Sequence, residues 1–544
     1  MRRNFVSFPA MLVVALLCSY QANAQRLTPV PATRGTPPRS QVEANFATAG
    51  STASSPWTPL TNQPTFLLDG AANPILLTDG SVLVQDAGFP DWWKLTPDQN
   101  GSYVNGTWTE VASLPTGYSP LYHSSAVLPD GRLIIEGGEY ICTPTTCNPV
   151  WTNLGAIYDP VGDFWTPVAP PVGWTTIGDA QGVVLANGTY MQANCCTSQA
   201  ALLDPKTLTW TPTGSGKFDP NDEEGWTLLP GGDVLAVDAY VPLPPFPYIP
   251  TGTNSELYDP RTGSWHGAGS TIVQLWDSAA ACGGEKVATF ELGPAVLRAD
   301  GTVFQAGSDT CPDGTGNTAI YNSYTGRWHA GPVFPEVDGV TDLSIADGPA
   351  SWEPNDKVLM MASPGFGNVP SVFFEWDGKS LTPVPGTPNA PVDGSYFGNM
   401  PLLPSGQILL TDTSDDIEIY TPTMTRTDEA FARSIAPVIL FTPQVLAREG
   451  SYEIFGIRFN GMTQGAAYGD DVQAATNYPL VRITNLKTSH VFYARTHDHS
   501  SMGVASEALV STHFDVSKVQ EQGASLLQVV ANGIASPPEL VFVY

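Results

Sequence analysis

The chain has 544 residues and carries 52 acidic against 23 basic side chains, a formal net charge of −29. A surface this acidic repels nucleic acid and anionic lipid, so we expect neither as a partner. With 50 prolines and 52 glycines, and no long segment of helical periodicity, the composition predicts an all-β chain of at least two domains.

The first 24 residues have the features of an export signal. Arg2 and Arg3 precede an apolar stretch, and Ala22-Asn23-Ala24 is an A-x-A cleavage site. We predict a signal peptide over residues 1–24 and a flexible linker, rich in Pro, Thr, Ser and Ala, over residues 25–50. The product is expected to be secreted or periplasmic, with no membrane span.

One short phrase recurs seven times at kelch-repeat spacing: an apolar run, a two-residue turn and a second apolar run. The turn pairs are Asp79-Gly80, Asp130-Gly131, Asn187-Gly188, Gly231-Gly232, Asp300-Gly301, Asn355-Asp356 and Ser405-Gly406. Each copy predicts a β-hairpin, because Gly or Asn in the turn accepts positive φ. A single four-stranded unit cannot bury both of its faces, so the repeats predict a closed seven-bladed kelch-type β-propeller over residues 51–434.

The seventh unit lacks the Trp that follows most of the other copies. The segment SPWTPL around Trp57 is similar to FWTPV at Trp165 and TWTPT at Trp210. We predict that this N-terminal strand completes the seventh blade and removes two free sheet edges. The alternative is a six-bladed ring with a separate hairpin.

Short alternating strands replace the repeat from residue 435 to 544, which predicts an immunoglobulin-like β-sandwich. One loop of this region, RTHDHSS, contains two of the only seven histidines, His497 and His499. We interpret them as candidate metal ligands or proton carriers. The alternative is a loop that docks the sandwich onto the propeller through ordinary hydrogen bonds.

Six of the seven cysteines follow the signal peptide, an even number in an oxidising compartment. They are Cys142, Cys147, Cys195, Cys196, Cys282 and Cys311. Cys142 and Cys147 bracket a short loop that a disulfide can close, and Cys282 and Cys311 are a second candidate pair. Cys195 and Cys196 then remain as a vicinal pair, unless each bonds elsewhere. We expect structural disulfides rather than redox chemistry or a zinc site.

Propellers bind ligands at the mouth of the channel, where loops enter the innermost strands. In the seven units the position before that strand reads Ala71, Tyr122, Asp179, Glu223, Glu291, Asp347 and Phe397. Crowded carboxylates raise each other's pKa unless a cation or hydrogen-bond donors relieve them. The four consecutive acids therefore predict a cation site, or a cradle for sugar hydroxyls or amines. The alternative is that they accept hydrogen bonds from the backbone of neighbouring blades.

The order of these motifs resembles the galactose oxidase family, from about Trp57 to Tyr544. The resemblance implies copper held by two tyrosines and two histidines, with one tyrosine cross-linked to a cysteine. LYHSSAVLPDG places Tyr122 at the cross-linked tyrosine, and SYFGNMPLLPSG places Tyr396 at the other. RTHDHSS offers His497 or His499 for the histidine that arrives from the C-terminal domain.

Two positions depart from the family's pattern. Ala71 stands where the cross-linking cysteine belongs, and Phe397 stands where the second histidine belongs. We therefore expect no Tyr-Cys cofactor and no active copper-radical oxidase. The tyrosines, the two loop histidines and the four acids could still hold a divalent ion such as copper, zinc or calcium.

The sequence leaves two functions open. The first is an exported enzyme or binding protein for a carbohydrate or other small polar ligand, with Tyr122, Tyr396, His497 and His499 at its site. The second is a non-catalytic scaffold outside the cytoplasm that binds glycans or a cell-surface protein. The proline-rich, aromatic segment PLPPFPYIP after Val241 favours the second.

Overall fold

The computed structural model describes residues 55–143, 146–239, 252–277, 290–309, 316–365, 367–470 and 474–544. The predicted signal peptide (1–24) and linker (25–50), Cys282, Cys311 and the PLPPFPYIP segment lie outside the described residues. Within those ranges, no helix combines the length and the apolar character that a membrane crossing requires.

The described chain is nearly all β, as the composition predicts. Its N-terminal strand is β1 (Trp57–Pro59). The first sheet contains β2 (Ala71–Leu76), β3 (Val82–Asp86), β4 (Trp92–Thr96) and β5 (Thr107–Glu110). Three short strands, β6 (Pro120–Leu121), β9 (Tyr140–Thr143) and β10 (Thr146–Pro149), form a small accessory sheet. The second sheet contains β7 (Ser124–Val127), β8 (Leu133–Glu136), β11 (Gly155–Asp159) and β12 (Phe164–Val168).

Three further four-stranded antiparallel sheets follow in chain order. The third contains β13 (Gly182–Val184), β14 (Tyr190–Ala193), β15 (Ala200–Asp204) and β16 (Thr209–Thr213). The fourth contains β17 (Trp226–Leu228), β18 (Val234–Val237), β19 (Asn254–Asp259) and β20 (Ser264–Ser270). The fifth contains β21 (Ala295–Leu297), β22 (Thr302–Asp309), β23 (Gly316–Asn322) and β24 (Arg327–Ala330).

The sixth sheet contains β25 (Ala350–Trp352), β26 (Val358–Ala362), β27 (Val372–Trp376) and β28 (Leu381–Val384). The seventh combines β29 (Ile408–Leu410) and β30 (Glu418–Tyr420) with β1 from the N-terminal end. The first strands of neighbouring sheets contact one another, as in β7 with β13 and in β17 with β21. This is the arrangement of a propeller, in which inner strands surround a central channel.

The repeated turns form the hairpins that the sequence predicts. Gly80 and Gly131 adopt φ values of 77° and 81°. The preceding aspartates accept hydrogen bonds from the backbone two residues on, as Asp79 Oδ1 does from Ser81 N at 3.0 Å. The strands that follow these two turns, β3 and β8, are buried along their whole length, because the neighbouring sheets cover both of their faces.

The repeated tryptophan links each sheet to the connection before it. The indole Nε1 of Trp165 donates to Ala112 O at 2.8 Å, and that of Trp210 donates to Ala169 O at 2.7 Å. Trp57 makes the same kind of bond, to Pro385 O at 2.7 Å, while β1 pairs with β30. The N-terminal strand therefore occupies the outer position of the seventh sheet.

The C-terminal region begins with helix α1 (Arg426–Ile435), whose start is capped by Thr425 and Asp428. Its strands are β31 (Val438–Phe441), β32 (Val445–Leu446), β33 (Ser451–Ile457), β34 (Ala466–Ala467), β35 (Leu480–Asn485), β36 (Val491–His497), β37 (Val510–Asp515), β38 (Gly523–Ala531), β39 (Ile534–Ala535) and β40 (Glu539–Val543). All except β34 join one nine-stranded sheet around a core that includes Ile454, Val481 and Phe514. Its assignment as immunoglobulin-like stays a prediction.

Strand β34 leaves this sheet and pairs with the propeller. Ala467 and Ala466 lie opposite Ala350 and Ser351 of β25, the first strand of the sixth sheet. Nearby, Gln464 Oε1 accepts from Leu228 N of β17 at 2.7 Å. We call residues 462–470 the channel loop, because they run along the inner strands of the fourth and sixth sheets.

Candidate functional site

Three of the seven aligned positions at the entrance of the inner strands share an unusual backbone conformation. Tyr122, Glu223 and Asp347 have φ values of 52°, 54° and 46°, in the left-handed region that side chains with a Cβ rarely occupy. Residues held in such conformations concentrate at functional sites, because the surrounding structure must stabilise them. Here the conformation places the side chains of these three residues at the mouth of the channel.

Four carboxylates predicted from the repeat alignment meet there, and a fifth joins them. Oxygens of Glu223, Glu291 and Asp347 all lie within 4.8 Å of one another, and so do oxygens of Asp179, Glu223 and Asp470. All five side chains are buried. Glu223 belongs to both groups, so the acids form one continuous cluster, which we call the acid ring.

Burial and mutual repulsion oppose the charge of the acid ring. The pKa of Glu223 is raised well above its ordinary value, first by burial and then by the charges of Glu291, Asp470 and Asp179. Burial and the neighbouring Asp347 raise the pKa of Glu291 in the same way. Such a cluster holds protons at neutral pH or takes up a cation. Its all-oxygen donor set fits a hard cation such as calcium.

The channel loop supplies the part of this site that the repeat pattern does not contain. It places Asp470 in the acid ring, and the Tyr468 hydroxyl donates to Tyr396 O at 2.5 Å. Gly469 makes this approach possible, since a Cβ there would lie 1.9 Å from Asp347 Oδ1. A Cβ on Gly225 would likewise lie 2.1 Å from Gly469 O. The sequence analysis did not identify this loop, and its Gly-rich QGAAYGDD segment is the signal that could have pointed to it.

Aromatic side chains line a cleft beside the acid ring. The rings of Tyr122 and Tyr396 lie 5.3 Å apart, and Tyr140 lies edge-on to Tyr122 at 6.0 Å. The cleft is narrow and open to solvent, with room for a few water molecules. It is lined by Ala72, Asn73, Gln85, Leu121, Tyr122, His123, Tyr396, Phe397, Asn399, Thr413 and Tyr468. Two predicted site residues, Tyr122 and Tyr396, are therefore brought together.

His123 lies under this cleft as a buried, neutral imidazole. Its Nε2 lies 3.0 Å from both Asn73 Nδ2 and Gln85 Oε1, and burial lowers its pKa to about 4. In the neutral ring, Nε2 either accepts from Asn73 or donates to Gln85, and either bond fixes the ring next to Tyr122. We infer a positioning role, which the sequence pattern alone did not assign.

The residues at the mouth do not fit the copper site that the family resemblance implies. Ala71 is fully buried in β2 and pairs with Asp86, so it offers no sulfur to Tyr122. Phe397, at the position of the second histidine, packs edge-on against Tyr396 at 5.3 Å. The two positions that the resemblance assigns to the cross-linking cysteine and the second histidine are therefore occupied by side chains that cannot ligate or cross-link.

His497 and His499 lie at the opposite end of the propeller from Tyr122. The backbone N–H of His499 donates to Pro129 O at 2.9 Å, beside the Asp130-Gly131 turn. An inner strand separates that turn from Tyr122, a distance of roughly 20 Å. The His497 ring contacts Asp498 and Asp515 of its own domain. The loop docks the C-terminal sheet onto the inner turns, and the structure does not bring its histidines to the mouth.

A second buried acid cluster, next to the mouth, has its own cation. The ammonium of Lys217 contacts Asp219, and lies 3.2 Å from Glu224, 3.5 Å from Asp238 and 2.9 Å from Glu256. Burial acts to lower the pKa of Lys217, but the four carboxylates outweigh it and raise that pKa well above its usual value. This cluster is structural, because the ammonium already fills it.

The described cysteines lie in two places. The sulfurs of Cys142 and Cys147 are 2.08 Å apart, the distance of a disulfide, across the β9–β10 hairpin. Cys195 and Cys196 are buried at the mouth, with their sulfurs 2.7 Å apart.

No protein-family model matches the chain. The kelch-like protein terF of Aspergillus terreus is 32% identical over 93 residues, which are 17% of this chain and 19% of that protein. The match therefore spans less than a fifth of either chain's length.

Solved structures with a similar arrangement have low sequence identity. A fungal alcohol oxidase of the AA5 family, in complex with copper, is 14% identical with a TM-score of 0.46, over 90% of this chain and 98% of that one. Virginiamycin B lyase from Staphylococcus aureus is 8% identical with a TM-score of 0.43, over 68% of this chain and 98% of that one. The architecture rests on the sheets described above.

Proposed function

We propose that the chain is an exported seven-bladed kelch propeller with an immunoglobulin-like C-terminal domain. Its channel mouth binds a calcium ion and, beside it, a small polyhydroxyl ligand of the carbohydrate type. One observation carries the proposal: carboxylates from four consecutive sheets and Asp470 of the channel loop meet beside an aromatic cleft.

The choice of calcium follows from the donor atoms. Calcium takes six to eight oxygen ligands in flexible geometry, whereas zinc and copper favour nitrogen and sulfur. The acid ring offers only carboxylates, and the two loop histidines lie elsewhere. A divalent cation would also remove the repulsion that raises the pKa of Glu223.

The choice of a carbohydrate-type ligand follows from the wall of the cleft. Tyr122 and Tyr396 line the cleft and are half-buried, and Tyr140 packs edge-on against Tyr122. Sugars combine an apolar ring face, which packs on aromatic side chains, with hydroxyl pairs that bind a calcium ion. In this proposal Tyr122 and Tyr396 contact the ligand directly, and the acid ring binds it through the ion.

The test is a calcium titration of the full chain by calorimetry, followed by glycan binding with and without EDTA. The proposal expects one calcium per chain, lost in the Glu223→Gln variant, and glycan binding that EDTA abolishes. No calcium binding to the wild-type protein would refute the ion. Glycan binding that is unchanged by EDTA would refute the ion's role in recognition.

The second candidate is a scaffold that binds a protein partner without an ion. Exposed apolar side chains on the C-terminal sheet favour it: Phe441 is 58% exposed, and Phe542 is 51% exposed opposite Val445. A partner captured equally by the wild type and by Glu223→Gln, but lost in Phe542→Ser, would support this function instead.

A further inference from the structure

Cys195 and Cys196 lie in the wall of the mouth, between two acidic segments. They follow β14 on the loop that leads to β15. Cys195 N donates to Ile177 O at 2.9 Å, and Cys196 N donates to Asn221 O at 2.8 Å. The dipeptide therefore connects the segment before Asp179 with the segment before Asp222 and Glu223.

The two sulfur atoms contact each other and a carboxylate. They are 2.7 Å apart, closer than non-bonded sulfurs approach and longer than the about 2.05 Å of a disulfide bond. Asp222 Oδ1 lies 3.9 Å from the Cys195 sulfur and 3.8 Å from the Cys196 sulfur. Cys196 also has a φ of 63°, which brings the two adjacent side chains onto the same side of the backbone.

We propose that Cys195 and Cys196 are a thiol–disulfide site whose redox state controls the hydrogen bonds received by Asp222, the neighbour of Glu223 in the acid ring. A shared zinc ion is a poorer occupant, because tetrahedral thiolate ligands hold their sulfurs about 3.8 Å apart. The contact between the sulfurs instead fits a pair that needs only a small movement to bond.

The reaction is an exchange with a disulfide of the extracytoplasmic compartment, for example oxidised glutathione. One sulfur–sulfur bond forms between Cys195 and Cys196, and the bond of the incoming disulfide breaks. Both thiol protons and the two electrons pass to that disulfide, which leaves as two thiols. A dithiol reductant reverses the exchange.

The consequence for the acid ring rests on the proposed calcium site. Both thiols lie within hydrogen-bond distance of Asp222 Oδ1, and Asp222 adjoins Glu223 of the acid ring. Oxidation removes those donors, so Asp222 and the adjoining Glu223 are held less firmly in the arrangement that binds the ion. The reduced protein should therefore bind calcium about 3- to 10-fold more tightly than the oxidised protein, the worth of about one such hydrogen bond.

The first experiment measures the pair itself and does not depend on calcium. The full chain is equilibrated with glutathione at a series of redox ratios, quenched in acid, denatured and labelled with N-ethylmaleimide. The mass of the peptide that contains Cys195 and Cys196 is then recorded. We expect only two species, one with two labels and one unlabelled and lighter than the dithiol by two hydrogens. The proposal would be overturned if this peptide still carried two labels after equilibration with oxidised glutathione, or if either cysteine were cross-linked to Cys282 or Cys311.

The second experiment compares calcium affinity in the two redox states. A Cys195→Ser/Cys196→Ser variant keeps hydroxyl donors and should retain the affinity of the reduced protein in any glutathione buffer. The matched Cys195→Ala/Cys196→Ala variant loses the donors and should bind like the oxidised protein. Equal affinities in all forms would overturn the coupling to the acid ring. No calcium binding in any form refutes the proposed function and the coupling, while the labelling result still decides the thiol–disulfide site.

Discussion

Replacing Glu223 by Gln should separate a calcium site from an ordinary buried acid cluster. Glu223 is the residue shared by both carboxylate groups of the acid ring. In the metal-free protein the substitution removes a carboxyl group whose charge burial and four neighbouring acids disfavour. We therefore expect the variant to be at least as stable as the wild type in EDTA at pH 8, because the amide keeps the shape without the repulsion.

Calcium should reverse this order of stability. An ion present at 100 times its dissociation constant stabilises the native state by about 2.7 kcal/mol. Loss of a central charged ligand weakens such a site on the order of 100-fold. At the same calcium concentration the Glu223→Gln variant would then gain only about 0.4 kcal/mol. The wild type should thus be less stable than or equal to the variant in EDTA and more stable than the variant by up to about 2 kcal/mol in calcium.

The assay is denaturant unfolding of both proteins in EDTA and in calcium, with Glu224→Gln as the matched control. Glu224 is the next residue, but it pairs with Lys217 at 3.2 Å and accepts from Gln181 at 3.1 Å. Its substitution should lower stability by the same amount in both buffers. The reasoning is refuted if calcium stabilises wild type and Glu223→Gln equally, or if Glu223→Gln destabilises the metal-free protein as much as Glu224→Gln does.

Three further predictions concern pH, the N-terminal strand and copper. In EDTA, the free energy of unfolding should fall as pH rises from about 4 to about 8. Burial raises the pKa of Asp222 to about 8, so the native state keeps a proton on such groups that the unfolded chain releases near pH 4. A free energy of unfolding that rises over this range would contradict the prediction. Deleting residues up to Pro64 should lower the melting temperature far more than deleting those up to Gly50, because only the longer deletion removes Trp57, whose burial is worth about 3–5 kcal/mol; equal melting temperatures would count against ring closure by β1. Protein loaded with copper and oxidised should show no tyrosyl-radical absorption band, because Ala71 and Phe397 occupy the positions of the cross-linking cysteine and the second histidine. The appearance of that band would disprove the assignment of Ala71 and Phe397 to those positions.

The repeat carried most of the information about the propeller. Turns such as Asp79-Gly80 place positive φ and a backbone acceptor where a hairpin needs them, and the tryptophans mark the outer strands. Because equivalent positions of a repeat occupy equivalent places around the ring, aligning the turns also predicts that Asp179, Glu223, Glu291 and Asp347 lie close together, and their oxygens do so.

Residues outside the repeat could not be located in this way. The sequence drew attention to His497 and His499 because histidine is rare in this chain, but rarity does not say which end of the ring a loop reaches. The channel loop has no periodicity, and only its pairing with β25 reveals that Tyr468 and Asp470 enter the mouth. The contacts of Cys195 and Cys196 with Asp222 likewise depend on how neighbouring sheets pack.

The most direct measurement of the central claim is the position of a bound ion in crystals of the full chain grown with manganese, an oxygen-preferring substitute for calcium with a strong anomalous signal. The proposal predicts one anomalous peak coordinated by Glu223 together with Asp347 or Asp470. A peak beside His497, or an acid ring that stays without density at saturating ion, would contradict it.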